Sequence, residues 1–384
     1  MPNPHTALPV VGMVGGGQLA RMTQQAAIAL GIEFRVLADS PIDSAALVAA
    51  NTTVGDYRDF EDLAAFAATC DVVTFDHEHV PLSHVEKLTS SGVLIYPGAH
   101  ALPYVQDKIR MRERLAQLGM PVPAWAAVET VEDVEQFASE HGWPVVAKAA
   151  SGGYDGKGVW LLRSSDDARP LLARGDVRLF VEENVAFTRE LAALVARTPS
   201  GNSTAWPIVE TVQSDGVCVE VVAPAPTLDD AKAQAAQQLA LRIADELDVV
   251  GLLAVELFDR PGGVVVNELA MRPHNSGHWT IDGSTTSQFE QHLRAVLDWP
   301  LGDTAAIAPV TVMSNVLGGD DGNAGLATRV PDVLDDPDLH LHLYGKGVRP
   351  GRKIGHVNIC GDDVATLRAR ATRAADHLRR GAAT

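Results

Sequence analysis

At 384 residues the chain is long enough for two or three domains with substantial cores. With 46% hydrophobic and 21% charged residues it has a globular composition, which excludes a chain disordered beyond its ends. A formal net charge of −18 excludes general binding to nucleic acid or an anionic membrane, so any anionic ligand must be met by a local basic cluster.

The first hundred residues alternate short apolar strands with helical patterns: strand Val10–Val14, helix 19–30, strand Glu33–Ala38, helix 61–68, strand Val72–Phe75 and helix 82–88. This predicts an open, mainly parallel sheet. After the first strand, Gly15-Gly16-Gly17-Gln18-Leu19-Ala20 fits the dinucleotide-binding turn, and Asp39 follows the next strand where a ribose-binding acid would stand. The same glycines also serve any tight strand-to-helix turn whose amides face a phosphate. Asp76-His77-Glu78-His79 ends the strand 72–75, where crevice ligands bind in such sheets. As a metal site it is poor, because alternating side chains split between two faces.

A charged amphipathic helix is expected over 106–118, stopped by Gly119-Met120-Pro121-Val122-Pro123, where a second domain begins. Thr130 with Asp133, and Thr227 with Asp230, resemble caps opening helices over 131–140 and 228–246. Between them lie β-prone runs at 145–148, Val159–Leu162, 179–182, 191–197 and 217–222. Lys148 ends the first of these, and the glycine-rich run 152–158 with Lys157 can fold over phosphates. It is not a P-loop, since a strand follows it; a plain turn would fit the run equally. The segment 180–185 is a strand end that can meet an adenine edge, with Glu190 beyond it for ribose hydroxyls.

Two β-prone runs at 252–258 and 264–269 flank a turn centred near Pro261 and Gly262, which predicts a hairpin. Glu256 and Glu268 would then lie nearly opposite each other, with Cβ atoms roughly 5 Å apart if directly paired, and two facing carboxylates repel unless a cation lies between them. Magnesium suits such oxygens, with Asn267 as an auxiliary ligand; the alternative is a surface hairpin with two solvated glutamates. Zinc on His274 and His278 lacks a suitably spaced third ligand. Residues 267–280, NELAMRPHNSGHWT, are too rich in polar groups for a packing loop. Beyond them, 318–325 reads as a loop and Val364–Arg380 as a terminal helix with solvated arginines. Lys346, Arg349, Arg352 and Lys353 set four positive charges close together in an acidic chain, fit for a phosphate or simply solvated. No internal repeat is visible. Cys70, Cys218 and Cys360 are odd in number and far apart, which argues against disulfides and a cysteine metal site. No charged leader precedes an apolar run, and no run approaches a membrane span, so a cytoplasmic protein is expected.

Together the blocks GGGQLARM at 15–22, GGYDGKG at 152–158, NEL and RPHNSGHWT within 267–280 and RPGRKIGHVN at 349–358 resemble the ATP-grasp superfamily, and within it the N5-carboxyaminoimidazole ribonucleotide synthases. The resemblance implies an α/β and α+β multidomain protein. Residues 1–106 would form a doubly wound, Rossmann-like domain, 107–300 the ATP-grasp domain with a lid at about 123–190, and 301–384 a small C-terminal domain. It further implies ATP held by Lys108, Lys148, the loop Gly153, Tyr154, Asp155, Gly156, Lys157, Gly158 and Val159, then Glu182, Glu183, Asn184, Val185 and Glu190, with Gln213, Asn267 and Glu268 completing the site. Magnesium would sit on Glu256 and Glu268.

By the same resemblance bicarbonate attacks the γ-phosphate of ATP, and the resulting carboxyphosphate carboxylates the 5-amino group of aminoimidazole ribonucleotide. Arg272, His274 and Asn275 would be catalytic. With Gly17, Gln18, Leu19, Glu78, Tyr154, Asp155, Lys346, Arg352 and Lys353 they would bind the acceptor. A homodimer acting only on small molecules is implied. Departures from the family pattern are Met271 where proline is usual, Ala149 and Ala150 in place of basic residues, and Gln213 at a position that can be histidine. Rival readings are a formate-using ATP-grasp ligase, a nicotinamide oxidoreductase and a non-catalytic nucleotide sensor.

Overall fold

Every residue of β1 (Val10–Val14) is buried, as expected of a strand flanked on both edges and covered on both faces. It pairs in parallel with β2 (Glu33–Ala38) and with β4 (Val72–Phe75), and β2 pairs with β3 (Asn51–Val54), giving the order β3-β2-β1-β4. Helix Gln18–Leu30 packs on one face with Leu293 and Val296, while Leu63, Phe66, Val85 and Leu88 fill the other, so the sheet is doubly wound. The computed structural model describes residues 7–153, 157–320, 322–323 and 325–380.

The next four strands form an antiparallel sheet in the order β5-β8-β6-β7, from β5 (Trp125–Val128), β6 (Val145–Ala149), β7 (Val159–Leu162) and β8 (Leu179–Glu183). Helices Val131–His141 and Ser165–Leu172 seal it through Val134, Phe137, Ala168 and Leu171. Thr130 and Asp133 form a reciprocal capping box at the first of these, as their spacing suggested.

All remaining strands belong to one nine-stranded sheet: β9 (Arg189–Arg197), β10 (Ser203–Ala205), β11 (Val209–Ser214), β12 (Val217–Ala223), β13 (Gly251–Arg260), β14 (Gly263–Ala270), β15 (Val310–Leu317), β16 (Leu339–Leu343) and β17 (Lys353–Gly361). Its path is β14-β13-β9-β11-β12-β15-β17-β16, with β10 beside β9. Because β15 pairs directly with β12, the sheet crosses residue 301 without a break. The C-terminal segment therefore shares a sheet with the segment before it. Helix Val364–Arg380 covers its far end through Leu367, Ala371 and Leu378.

Two helix readings need correction. The helix expected over 106–118 is two, Pro103–Gln106 and Lys108–Gln117, because Asp107 takes extended backbone and caps the second through the N–H groups of Ile109 and Arg110. The central helix starts at Asp230 and not at 228, since Asp229 is the cap and Thr227 lies at φ 55°. Strands β3, β5, β10, β11 and β15–β17, and helices Ser165–Leu172, Gln288–Val296 and Leu326–Leu334, were not anticipated. Among the described residues no helix is long and apolar enough to cross a membrane.

Candidate functional site

The carboxyl ends of β1 and β4, the glycine-loop sheet and the β13–β14 hairpin surround a cavity of about 1250 Å³. Gly17, Gln18, Leu19 and Glu78 line it from the first domain, Lys148, Val159 and Glu182 to Val185 from the smaller sheet. Glu190, Gln213, Glu256, Asn267, Glu268, Arg272, His274 and Asn275 come from the large sheet and the turn after β14, and Lys346 and Lys353 from the C-terminal segment. Lys108 joins them from the start of its helix. Tyr154, Asp155 and Gly156 lie outside the described residues.

The dinucleotide reading of the first glycine turn is answered by Asp76. Its carboxyl group accepts from the N–H groups of Gly17 (2.6 Å) and Ala20 (2.9 Å), so these donors at the helix N-terminus are already taken. A Cβ on Gly17 would lie 2.1 Å from Asp76 Oδ2, which is why glycine stands there. Glu78, two residues on, accepts from Arg272 Nε at 2.7 Å and from the N–H of Met271 at 3.0 Å. Proline at position 271 could not donate that bond, so the departure from the family pattern adds a tie between the first domain and the turn after β14.

Glu256 and Glu268 are register partners across the β13–β14 hairpin. The register slips between Glu256 and Leu257, which pairs with Val266, so Asn267 is the extra residue of a bulge. Its Oδ1 accepts from Lys148 Nζ at 3.0 Å, while Nδ2 lies 3.5 Å from Glu256 Oε2. Burial, then the charges of Glu268 and Glu190, push Glu256 up to about 7 even though 32% of its side-chain surface faces the cavity. Lys108 forms an ion pair with Glu268. The corner thus gathers two carboxylates that gain from a cation, with the Asn267 amide beside them, a fit for magnesium, which takes few protein ligands and fills its shell with phosphate and water. Among the described residues no group of three or more His, Cys, Asp or Glu could hold a metal unaided.

Behind this corner lies a buried trio, Lys148, Glu182 and Arg112, of which sequence inspection missed only Arg112. Arg112, fully buried, pairs with Glu182 through Nε and donates from Nη2 to the Asn267 carbonyl at 2.7 Å. Lys148 Nζ meets the other Glu182 oxygen at 2.6 Å. Burial alone would raise Glu182, but Lys148 and Arg112 outweigh it and keep the carboxylate ionised. Burial also draws Lys148 below its ordinary value, against the pull of Glu182. The Glu182 carboxylate is therefore occupied in aiming Lys148, and Glu183 Oε1 accepts from the N–H of Ala124 at 3.0 Å. Phe187 and Phe258, also unanticipated, stack at 4.6 Å and 10° on the cavity wall beside Val185. In a helix pattern Arg112 looks like any surface charge, which is why it carried no signal.

At the opposite end, Arg272 is held charged by Glu78 against the cost of burial. Burial first, then Arg272 and Lys353, push His274 down to about 3, so its imidazole is neutral. Its Nδ1 accepts from the Ser276 N–H at 3.3 Å, which leaves the proton on Nε2. Lys346 bonds Gln18 Oε1. Lys157, Gly158 and Arg352 are not among the residues lining the cavity, and Arg352 instead donates to the Gly347 carbonyl at 3.2 Å. Of the basic cluster, Lys346 and Lys353 reach the cavity.

Three stretches match known domain families: the ribonucleotide synthetase preATP-grasp domain over residues 8–106, the ATP-grasp domain over 113–289, and the phosphoribosylaminoimidazole carboxylase C-terminal domain over 311–370. The chain is 56% identical over 380 residues to an N5-carboxyaminoimidazole ribonucleotide synthase of Mycobacterium tuberculosis, covering 97% of this chain and 88% of that protein. It superposes on an N5-carboxyaminoimidazole ribonucleotide synthetase of Thermus thermophilus with a TM-score of 0.87 at 37% identity, covering 96% of this chain and 98% of the other. An N5-carboxyaminoimidazole synthase of Aspergillus clavatus, solved with ADP and 5-aminoimidazole ribonucleotide, superposes with a TM-score of 0.87 at 32% identity, covering 97% and 98%.

Proposed function

This chain belongs to the N5-carboxyaminoimidazole ribonucleotide synthase family of ATP-grasp ligases, and from that premise we propose how its residues divide the reaction. It is an ATP-dependent carbon–nitrogen ligase that carboxylates 5-aminoimidazole ribonucleotide in purine biosynthesis. We assign the co-substrate as bicarbonate and the metal as magnesium. The observation that carries the assignment is one continuous cavity running from the Glu256–Glu268 pair to Arg272, His274, Asn275 and Lys353.

Lys148, aimed by Glu182 and Arg112, meets the phosphates, and Asn184 and Val185 meet the adenine edge. Magnesium held by Glu256, Glu268 and Asn267 would neutralise charge on the transferring phosphoryl group. No protein nucleophile is required: a bicarbonate oxygen attacks the γ-phosphorus, the β–γ bridge breaks, and the amine of the acceptor takes the carboxyl carbon. Arg272, fixed by Glu78, holds the two oxyanions in line, and neutral His274 donates from Nε2 without acting as a general acid. Lys346 and Lys353 take the acceptor's 5′-phosphate. In this reading 1–106, 107–300 and 301–384 are the functional divisions, with 123–190 as the lid. The enzyme works in the cytoplasm as a homodimer, and neither nucleic acid nor membrane is a partner.

Lys353→Ala removes a charge from the acceptor end and none from the Lys148 corner. A charge-assisted bond is worth roughly 1.5–3 kcal/mol, so KM for the ribonucleotide is expected to rise about ten- to a hundredfold while KM for ATP stays within about threefold. Steady-state kinetics with each substrate varied in turn read this out. A shift confined to the ATP term would move Lys353 to the nucleotide end.

A further inference from the structure

Side chains of β15 alternate between two cores: Val312 and Val316 pack beneath the terminal helix, whereas Met313 packs on the opposite side. Asn315 shares the Met313 face by the period of a strand and is 4% exposed. Its Nδ2 donates to the Cys218 carbonyl at 2.9 Å and to Asn275 Oδ1 at 2.8 Å, spending both hydrogens. Its Oδ1 accepts from Asn275 Nδ2 at 3.0 Å.

A reciprocal amide pair alone would look the same with both amides turned over. The Cys218 carbonyl removes that ambiguity, because a carbonyl only accepts and so requires the Asn315 NH2. Asn275 therefore has a dictated orientation, with one N–H and one lone pair left for the cavity it lines. We propose that Asn315 is a positioning residue for carboxyl transfer, fixing which edge of the Asn275 amide meets the carboxyl group. The inference rests on the reading that Asn275 touches that group.

In the transfer step the amine nitrogen bonds the carboxyl carbon, the carbon–oxygen bond to phosphate breaks with its pair going to phosphate, and the amine proton leaves to solvent. An N–H from Asn275 stabilises the carboxyl oxygens, and a turned amide offers them a carbonyl oxygen in its place. Carboxyphosphate then meets water before the amine captures its carbon.

The test counts phosphate released against labelled bicarbonate incorporated, in full-length Asn315→Leu, Asn315→Ser and Asn275→Ala, and in the Asn275→Ala/Asn315→Ser double variant. Serine keeps a hydroxyl for the Cys218 carbonyl, so it decides the matter should the leucine variant not fold. Expected for the Asn315 variants are carboxylation slowed about tenfold, a phosphate-to-product ratio raised severalfold, KM for ATP within about threefold, and no further loss in the double variant. A ratio unchanged at one, or losses that add to those of Asn275→Ala, would overturn the proposal. If Asn275→Ala itself leaves rate and ratio at wild-type values, the reading of Asn275 fails; if it lowers the rate and raises the ratio while Asn315→Ser does neither, the positioning role alone fails.

Discussion

Glu268→Ala is expected to lower kcat by about a hundred- to a thousandfold with the fold intact, and Glu256→Ala to do the same. The two carboxylates are register partners on one hairpin, and Asn267, bulged next to Glu268, sets its side-chain amide beside them, with Oδ1 on Lys148 and Nδ2 toward Glu256. One glutamate cannot hold a divalent cation against bulk water at millimolar concentration, whereas two with the triphosphate oxygens can. Glu268 also carries the ion pair to Lys108, so its loss frees that lysine to reach phosphate and KM for ATP should move little. Turnover and magnesium titration with each variant measure the effect. Retention by both of more than about a tenth of wild-type turnover, an effect under roughly 1.4 kcal/mol, contradicts the magnesium assignment.

Arg272→Ala should be nearly as severe, with kcat down about a hundredfold or more. This guanidinium bridges the chemistry to the first domain through Glu78, and the bond is buried enough that removing one partner leaves the other charge unmet. Arg272→Lys is not expected to recover activity, since an ammonium cannot hold Glu78 and two oxyanions in one plane. Glu78→Gln keeps the shape and loses the charge, so an intermediate loss is expected, appearing in kcat more than in KM for ATP. Near-wild-type turnover in Arg272→Ala would remove the residue from the reaction.

The hairpin was legible because its turn residues and two flanking runs fix the register to within a residue, which puts Glu256 nearly opposite Glu268; the bulge at Asn267 that makes the two register partners carries no such signal. The first domain was legible for a similar reason: short apolar strands and helical patterns alternate, and only a doubly wound sheet buries both. What remained hidden depends on tertiary placement. Arg112 occupies a charged position on a helix, and nothing local says that Glu182, seventy residues on, will bury it. Asp76 was read as part of an acidic-histidine strand end, although it caps the first helix and closes the dinucleotide site. Arg352 and Lys353 are neighbours in one basic run, yet β17 begins at Lys353, and of the two only Lys353 lines the cavity. Strands β15–β17 escaped notice because β16 alternates leucine with histidine and β15 carries Ser314 and Asn315 among its apolar residues; His340 and His342 find Asp282, and Asn315 finds Asn275, only in the folded chain.

The central claim is that ATP cleavage is coupled to carboxylation of an amine by bicarbonate. Phosphate release by the purified chain with ATP and magnesium, measured with and without 5-aminoimidazole ribonucleotide and with and without added bicarbonate, tests it most directly. Fast release that needs both co-substrates, with one labelled carbon incorporated per phosphate, is the predicted result. Equal release in bicarbonate-depleted buffer, or release supported by formate in its place, would contradict the account.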